Sequence, residues 1–190
     1  RRDTDVAALD IDNSGIPDLL VAAGPGGGTR VYVYHGTNSG TGGSTLAPTP
    51  NTTIPAPSGS TFALAAAGLG DVNNDGYGDV GVLRDGALLV YFGAMGGITN
   101  LAAPSQNIPW PAISTAMGTT VSLAAAGDVN NDGIGDVAVG VTGGIGGTPA
   151  GQARVYYGSP TGLSMTRLSE LATSATGMAA GTFGRSVSGI

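Results

Sequence analysis

Twelve of the thirteen acidic residues in this 190-residue chain are aspartates, and nine of the twelve fall in three nine-residue windows. The windows are Asp10-Ile11-Asp12-Asn13-Ser14-Gly15-Ile16-Pro17-Asp18, Asp71-Val72-Asn73-Asn74-Asp75-Gly76-Tyr77-Gly78-Asp79 and Asp128-Val129-Asn130-Asn131-Asp132-Gly133-Ile134-Gly135-Asp136. Side-chain oxygens recur at positions 1, 3, 5 and 9, with glycine at position 6. The chemistry open to such a set is the binding of a hard cation. Calcium takes about six to eight oxygen ligands at roughly 2.3–2.6 Å, and alternate positions of a tight loop turn several side chains onto one ion. Glycine at position 6 allows the positive φ of that turn. Position 7 varies freely, as a ligating backbone carbonyl would permit. Magnesium, which prefers small octahedral sites that retain water, fits less well. The expected ligands are Asp10, Asp12, Ser14, Ile16 and Asp18; Asp71, Asn73, Asp75, Tyr77 and Asp79; and Asp128, Asn130, Asp132, Ile134 and Asp136, for about three Ca2+ ions.

Two other readings compete. An EF-hand or dockerin loop opens on the same residues but needs a carboxylate at position 12 and a helix after it. Position 12 is Val21, Val82 and Val139, inside short β-branched runs that read as strands. A metal-free Asx turn is the ordinary explanation of one Asp-Asn-Gly cluster. Three copies in register, each with aspartate at position 9, weigh against it. The first loop has Ser14 where the others have Asp75 and Asp132, and Pro17 at position 8, so its oxygen set is the weakest.

The remaining composition excludes more than it assigns. Lysine is absent and the seven arginines are scattered, which leaves no basic footprint for nucleic acid. Net charge is −6, which three divalent ions would neutralise. There are no cysteines for disulfides or thiolate sites. No apolar stretch reaches the roughly 18–20 residues a membrane helix needs. Arg1-Arg2-Asp3-Thr4-Asp5 leads into no apolar run, and an export signal already removed would leave no trace. His35 occupies a slot held by Phe92 and Tyr157 elsewhere, so it reads as core. Gly24-Pro25-Gly26-Gly27-Gly28 lacks the ending of a phosphate loop. Arg84-Asp85-Gly86 reads as a turn, and Asn51-Thr52-Thr53 as a sequon in a polar linker. Trp110, between two prolines, reads as an anchor packing on its own repeat. No serine has a histidine and acid partner assigned by spacing, and carboxylate pairs for glycosidase chemistry are available only by taking them from the loops.

The elements that must position the loops repeat with them. Thirty-five glycines and eleven prolines argue for many turns and against long helices. Each loop feeds a strand, then a glycine-bearing turn, then an aromatic strand ending in glycine: Arg30–Gly36, Leu88–Gly93 and Arg154–Gly158. Small-residue strands, Phe62–Gly68 and Val121–Gly127, precede two of the loops. Loop starts are 61 residues apart (71 − 10) and then 57 (128 − 71), with variable segments near 37–61 and 143–151 absorbing the difference. The expected units are 1–60, with its first strand incomplete, then 61–115 and 116–180, and 181–190 opens a fourth.

Phe183-Gly184-Arg185-Ser186-Val187, the Gly-Asp-Val-Asn-x-Asp-Gly-x-x-Asp loops at 127–136 and, with Gly70, 70–79, and the aromatic strand ending in glycine resemble the FG-GAP repeat of integrin α-subunits and bacterial secreted proteins. The resemblance covers essentially the whole chain. It implies an all-β fold of tandem four-stranded antiparallel blades, integrin-α-like propeller units with calcium in the hairpin loop joining the first two strands. About three blades make a fragment or an open, partial propeller, since closed rings need about four to eight. The function expected is a non-catalytic, calcium-stabilised, extracellular (secreted or cell-surface) module for structure, adhesion or binding of a protein or glycan. It would have no nucleic-acid partner and no membrane insertion, and would stack with further repeats or self-associate. The alternative is an accessory or carbohydrate-binding propeller region of a secreted enzyme.

Overall fold

The computed structural model describes residues 4–23, 30–40, 43–56, 64–98, 103–110, 120–142, 151–172 and 183–189. These residues form fourteen strands and no helix. The first sheet contains β1 (Thr4–Leu9), β2 (Asp18–Ala23), β3 (Arg30–Tyr34) and, after a small hairpin of β4 (Gly36–Asn38) and β5 (Ser44–Leu46), β6 (Thr52–Pro55). The second runs β7 (Ala65–Gly70), β8 (Asp79–Arg84), β9 (Ala87–Tyr91) and β10 (Gln106–Pro109). The third runs β11 (Val121–Gly127), β12 (Asp136–Val141), β13 (Gln152–Tyr156) and β14 (Leu168–Ala172). Every pairing is antiparallel between neighbours, so each sheet is an up-and-down meander, one propeller blade. Among the described residues the three blades do not close into a ring.

The apolar residues lie in two layers, each between consecutive blades. One joins Ile11, Leu20, Val31, Val33 and Ile54 of the first blade to Val80, Val82, Leu89 and Tyr91 of the second. The other joins Leu83, Leu88, Val90 and Trp110 of the second blade to Val137, Val139, Tyr156 and Leu163 of the third. The second blade is therefore covered on both faces, and Ala87–Tyr91 is buried at every position. A strand covered on both faces reads as a continuous apolar run rather than an alternating one. In the first blade β2 alternates buried and half-buried residues, the pattern of a strand packed on one side.

The innermost strands β1, β7 and β11 line a cavity of about 280 Å³ together with Ser186 and Val187. Their alanines and glycines suit this crowded axis. A Cβ on Gly68 would lie 3.0 Å from the Leu9 side chain of the preceding blade. The segment 183–189 runs beside the third blade, where Ser122 Oγ donates to the Gly184 carbonyl at 3.1 Å.

Two expectations change. The segment near 37–61, read as variable linker, holds β4, β5 and β6, and Thr52 of the sequon lies buried in β6. Its polar residues form a fourth, outer strand that needs an apolar contact only at Ile54. Trp110 packs between its own blade and the next: its amide donates to the Gly86 carbonyl at 3.0 Å, while its ring lies 6.0 Å from that of Tyr156, with the Arg154 guanidinium 4.7 Å from its centroid. The glycine run at 24–28 and most of 143–151 lie outside the described residues.

Candidate metal centres

Each aspartate-rich window joins the first two strands of its blade. The loops fold by turning their own amides onto their own carboxylates. In the second, the two oxygens of Asp71 accept from the amides of Asp75 at 3.0 Å and Gly76 at 2.8 Å. Asn73 Oδ1 accepts from Asp75 N at 3.2 Å, and Asp75 Oδ1 from Tyr77 N at 3.0 Å. The third loop repeats these bonds with Asp128, Asn130 and Asp132 at 2.7–3.0 Å. In the first, Asp10 accepts from Ser14 N at 3.0 Å and Gly15 N at 2.8 Å, and Asp12 from Ser14 N at 3.1 Å. Ser14 Oγ donates to the Ile16 carbonyl at 3.4 Å, which brings positions 5 and 7 together.

Position 4 carries a signal missed in the sequence reading. Asn13, Asn74 and Asn131 have φ of 55°, 59° and 57°. Asparagine is the non-glycine residue best suited to this left-handed conformation. The shared Asn at position 4 was there to be read beside the glycine at position 6, whose φ is 78°, 90° and 87°.

Position 9 is built differently from the rest. Asp18, Asp79 and Asp136 are 1%, 0% and 0% exposed, while most of each loop is at the surface. Each is a clamp. One oxygen of Asp79 accepts from Val72 N at 2.9 Å, and the other from Gly93 N at 3.0 Å. Asp18 does the same with Ile11 and Gly36, both at 2.8 Å, and Asp136 with Val129 at 2.8 Å and Gly158 at 2.9 Å. The glycine that ends each aromatic strand thus has a definite task. A Cβ on Gly93 would sit 2.6 Å from the Ile11 carbonyl and 2.9 Å from Tyr77 Cβ, and one on Gly158 would sit 2.6 Å from Ile134 Cγ2. Position 7 therefore also packs, its side chain lying over that glycine. Burial raises the Asp79 carboxyl to about 7 and pushes Asp18 upward too, against the two amide bonds each accepts. At Asp12 burial acts the same way, but hydrogen bonds from Ser14 and the nearby His35 outweigh it and hold the group below its ordinary value.

The loops also touch one another. Gly78 N donates to the Asp10 carbonyl at 2.9 Å, and Gly135 N to that of Asp71 at 3.3 Å. Position 8 of one blade so meets position 1 of the blade before it. At Gly78 a Cβ would approach the Asp10 carbonyl to 2.7 Å. Pro17, at the same position of the first loop, has neither the N–H nor the bare Cα.

The fifteen residues expected as ligands are all described, and the oxygens of each window lie on one loop. The second and third loops offer oxygen donors alone, the chemistry calcium requires. In all three, carboxylate oxygens that accept one amide retain a lone pair. The tightest gathering lies in the first loop. Among the described residues, only Asp12, Asp18 and His35 bring three such ligand atoms within 4.8 Å of one another. The carboxylates of the other two loops stand further apart, and Asp10 lies outside the close group. His35 fills the expected aromatic slot and is 8% exposed. Its Nδ1 lies 3.1 Å from Asp12 Oδ2, its amide donates to Asn51 Oδ1 at 2.9 Å, and its ring rests on Gly97 of the next blade. Phe92 rests in the same way on Gly162 of the third blade.

The model of the FG-GAP-like repeat family matches residues 10–82 and 71–139. Similar proteins include integrin alpha-E of Mus musculus, 31% identical over 153 residues, and integrin alpha-3 of Cricetulus griseus, 29% identical over 150 residues. Integrin alpha-IIb of Mus musculus is 30% identical over 114 residues. These alignments cover 70%, 71% and 56% of this chain, but only 12%, 13% and 10% of the respective relatives.

Proposed function

Because the chain belongs to the FG-GAP-like repeat family, we propose that it is a calcium-binding, non-catalytic repeat module that works outside the cell by holding a protein partner. The observation that carries the calcium reading is the threefold recurrence of one hydrogen-bonded loop, with oxygens at positions 1, 3, 5 and 9 and a carbonyl at position 7. The proposed ligands are Asp10, Asp12, Ser14, the Ile16 carbonyl and Asp18; Asp71, Asn73, Asp75, the Tyr77 carbonyl and Asp79; and Asp128, Asn130, Asp132, the Ile134 carbonyl and Asp136. Nine carboxylates crowded into three loops repel one another at neutral pH, and a divalent ion in each would remove that repulsion. Binding energy then enters folding energy. Cells keep free calcium scarce in the cytosol and abundant outside, so a module of modest affinity fills its loops only outside. The division into repeats at 60/61, 115/116 and 180/181 belongs to the same proposal, one loop and one sheet to each of the first three.

The reading that the module holds a protein rests on its likeness to integrin α-subunits, of which it spans about an eighth. No helix among the described residues is long and apolar enough to cross a membrane. The test is thermal melting of the purified chain with and without a chelator. Chelation should lower the melting temperature markedly, and added calcium should restore it. An identical melting curve in excess chelator would sink the calcium reading.

A further inference from the structure

Apart from Pro17, the first loop departs from its sisters in where its charge sits: Asp12 stands at position 3, where the others have Asn73 and Asn130. Ser14 replaces the carboxylate that Asp75 and Asp132 supply at position 5. His35 replaces the aromatic ring that Phe92 and Tyr157 supply at the end of the third strand. One carboxylate is thus moved from position 5 to position 3, and an imidazole is gained beside it and Asp18. We propose that this loop is a mixed nitrogen–oxygen site, in which His35 Nδ1, Asp12 and Asp18 hold a first-row transition-metal divalent cation such as Zn2+ or Co2+ in preference to calcium. The proposal rests on reading the loops as cation sites and assigns a different metal class to one of them.

The ring is placed rather than free. It is buried, backed by Gly97, where a Cβ would lie 2.6 Å from Cε1, and tethered through its own amide to Asn51. Its Nδ1 therefore faces Asp12 by construction. An N···O separation of 3.1 Å is the edge that two ligands at about 2.1 Å span when they meet at one ion at roughly 95°. Asp18 is held just as firmly by its two amide bonds, and its nearest oxygen completes the group within 4.8 Å. Imidazole nitrogen suits zinc, nickel and copper, whereas carboxylate and carbonyl oxygen suit calcium. The second and third loops have no nitrogen donor in this slot, so the difference is confined to the first blade.

His35 is the only histidine in the chain, which makes the experiment unambiguous on tag-free protein. The 190-residue chain, saturated with calcium, is titrated with Co2+ and with Zn2+ by calorimetry while the imidazole nitrogen resonances are followed by NMR. One transition-metal ion should bind per chain, with the Nδ1 resonance shifting in step. His35→Phe, which installs the ring found in the second blade, should weaken that binding at least tenfold and leave calcium at the other two loops untouched. Asp12→Asn should weaken it too while keeping an acceptor for the Ser14 amide. Equal affinity in His35→Phe overturns the proposal. So does a wild-type chain that binds calcium but neither Co2+ nor Zn2+, since the His35–Asp12 contact is then an ion pair only. A chain that binds Zn2+ through His35 but takes no calcium at any loop supports this site and sinks the calcium reading instead. If no metal binds at all, both fail.

Discussion

At the scale of single residues, the aspartate at position 9 turns out to have two uses. Its presence in all three loops counted in the sequence as a sign of metal, because a turn alone does not require it. The structure supplies a second reason, since Asp18, Asp79 and Asp136 each clamp two backbone amides in a buried setting. Asp79→Asn would turn an NH2 group toward one of those two donors. It should cost about 1–3 kcal/mol in urea unfolding even without calcium. A calcium-free variant as stable as the parent would show that the clamp contributes nothing. The same residue sets a pH dependence. Its carboxyl titrates near 3.8 when exposed and at about 7 in the fold, so its protonation stabilises the cation-free protein fully below about 3.8. That contribution is lost as pH rises through about 7. Cation-free protein should therefore melt lower at pH 7.5 than at pH 5, and saturating calcium, which favours the ionised carboxylate, should flatten or reverse the trend.

At the scale of elements, the nine-residue loop and the end of the third strand form one unit, although 14 residues separate Asp79 from Gly93. The strand–loop–strand order and the glycine at position 6 could be read from spacing alone. The reason for the glycine after each aromatic strand could not, because the atoms that exclude a side chain there come partly from another blade. Gly93→Ala should lose about 1–3 kcal/mol through crowding against the Ile11 carbonyl and Tyr77. At position 4 the left-handed backbone makes the opposite choice favourable. Asn74→Gly should be nearly neutral and Asn74→Ala should cost about 1 kcal/mol, a pair of values that one denaturation series would check.

At the scale of the whole molecule, the blades hold together through apolar layers between them and through loops that bond from one to the next. Position 2 of the loop records this. Ile11 and Val72 are 0% exposed, each covered by the following blade, whereas Val129 is 56% exposed. Val72→Asn should therefore cost about 2–4 kcal/mol, and Val129→Asn should stay within about 0.5 kcal/mol. Equal losses at both positions would mean that the layer between blades does not stabilise the fold as described. Pro17 marks a second asymmetry. The position it occupies meets the preceding loop in the other two blades, and it can neither donate the bond nor make the approach.

The three loops with their regularly spaced oxygens, the all-β repeat and its family could be read from the sequence itself. Those properties rest on residue type at short spacing, and φ preference and oxygen count are local. Tertiary structure decided what needs a neighbour. It buried position 9 and not positions 1, 3 and 5, set Trp110 between its own blade and the next, and turned a polar linker into outer strands. It also placed a histidine 23 residues along the chain from Asp12 against that carboxylate. Contacts made across blades leave no period in the chain, and only the folded stack brings their partners within reach.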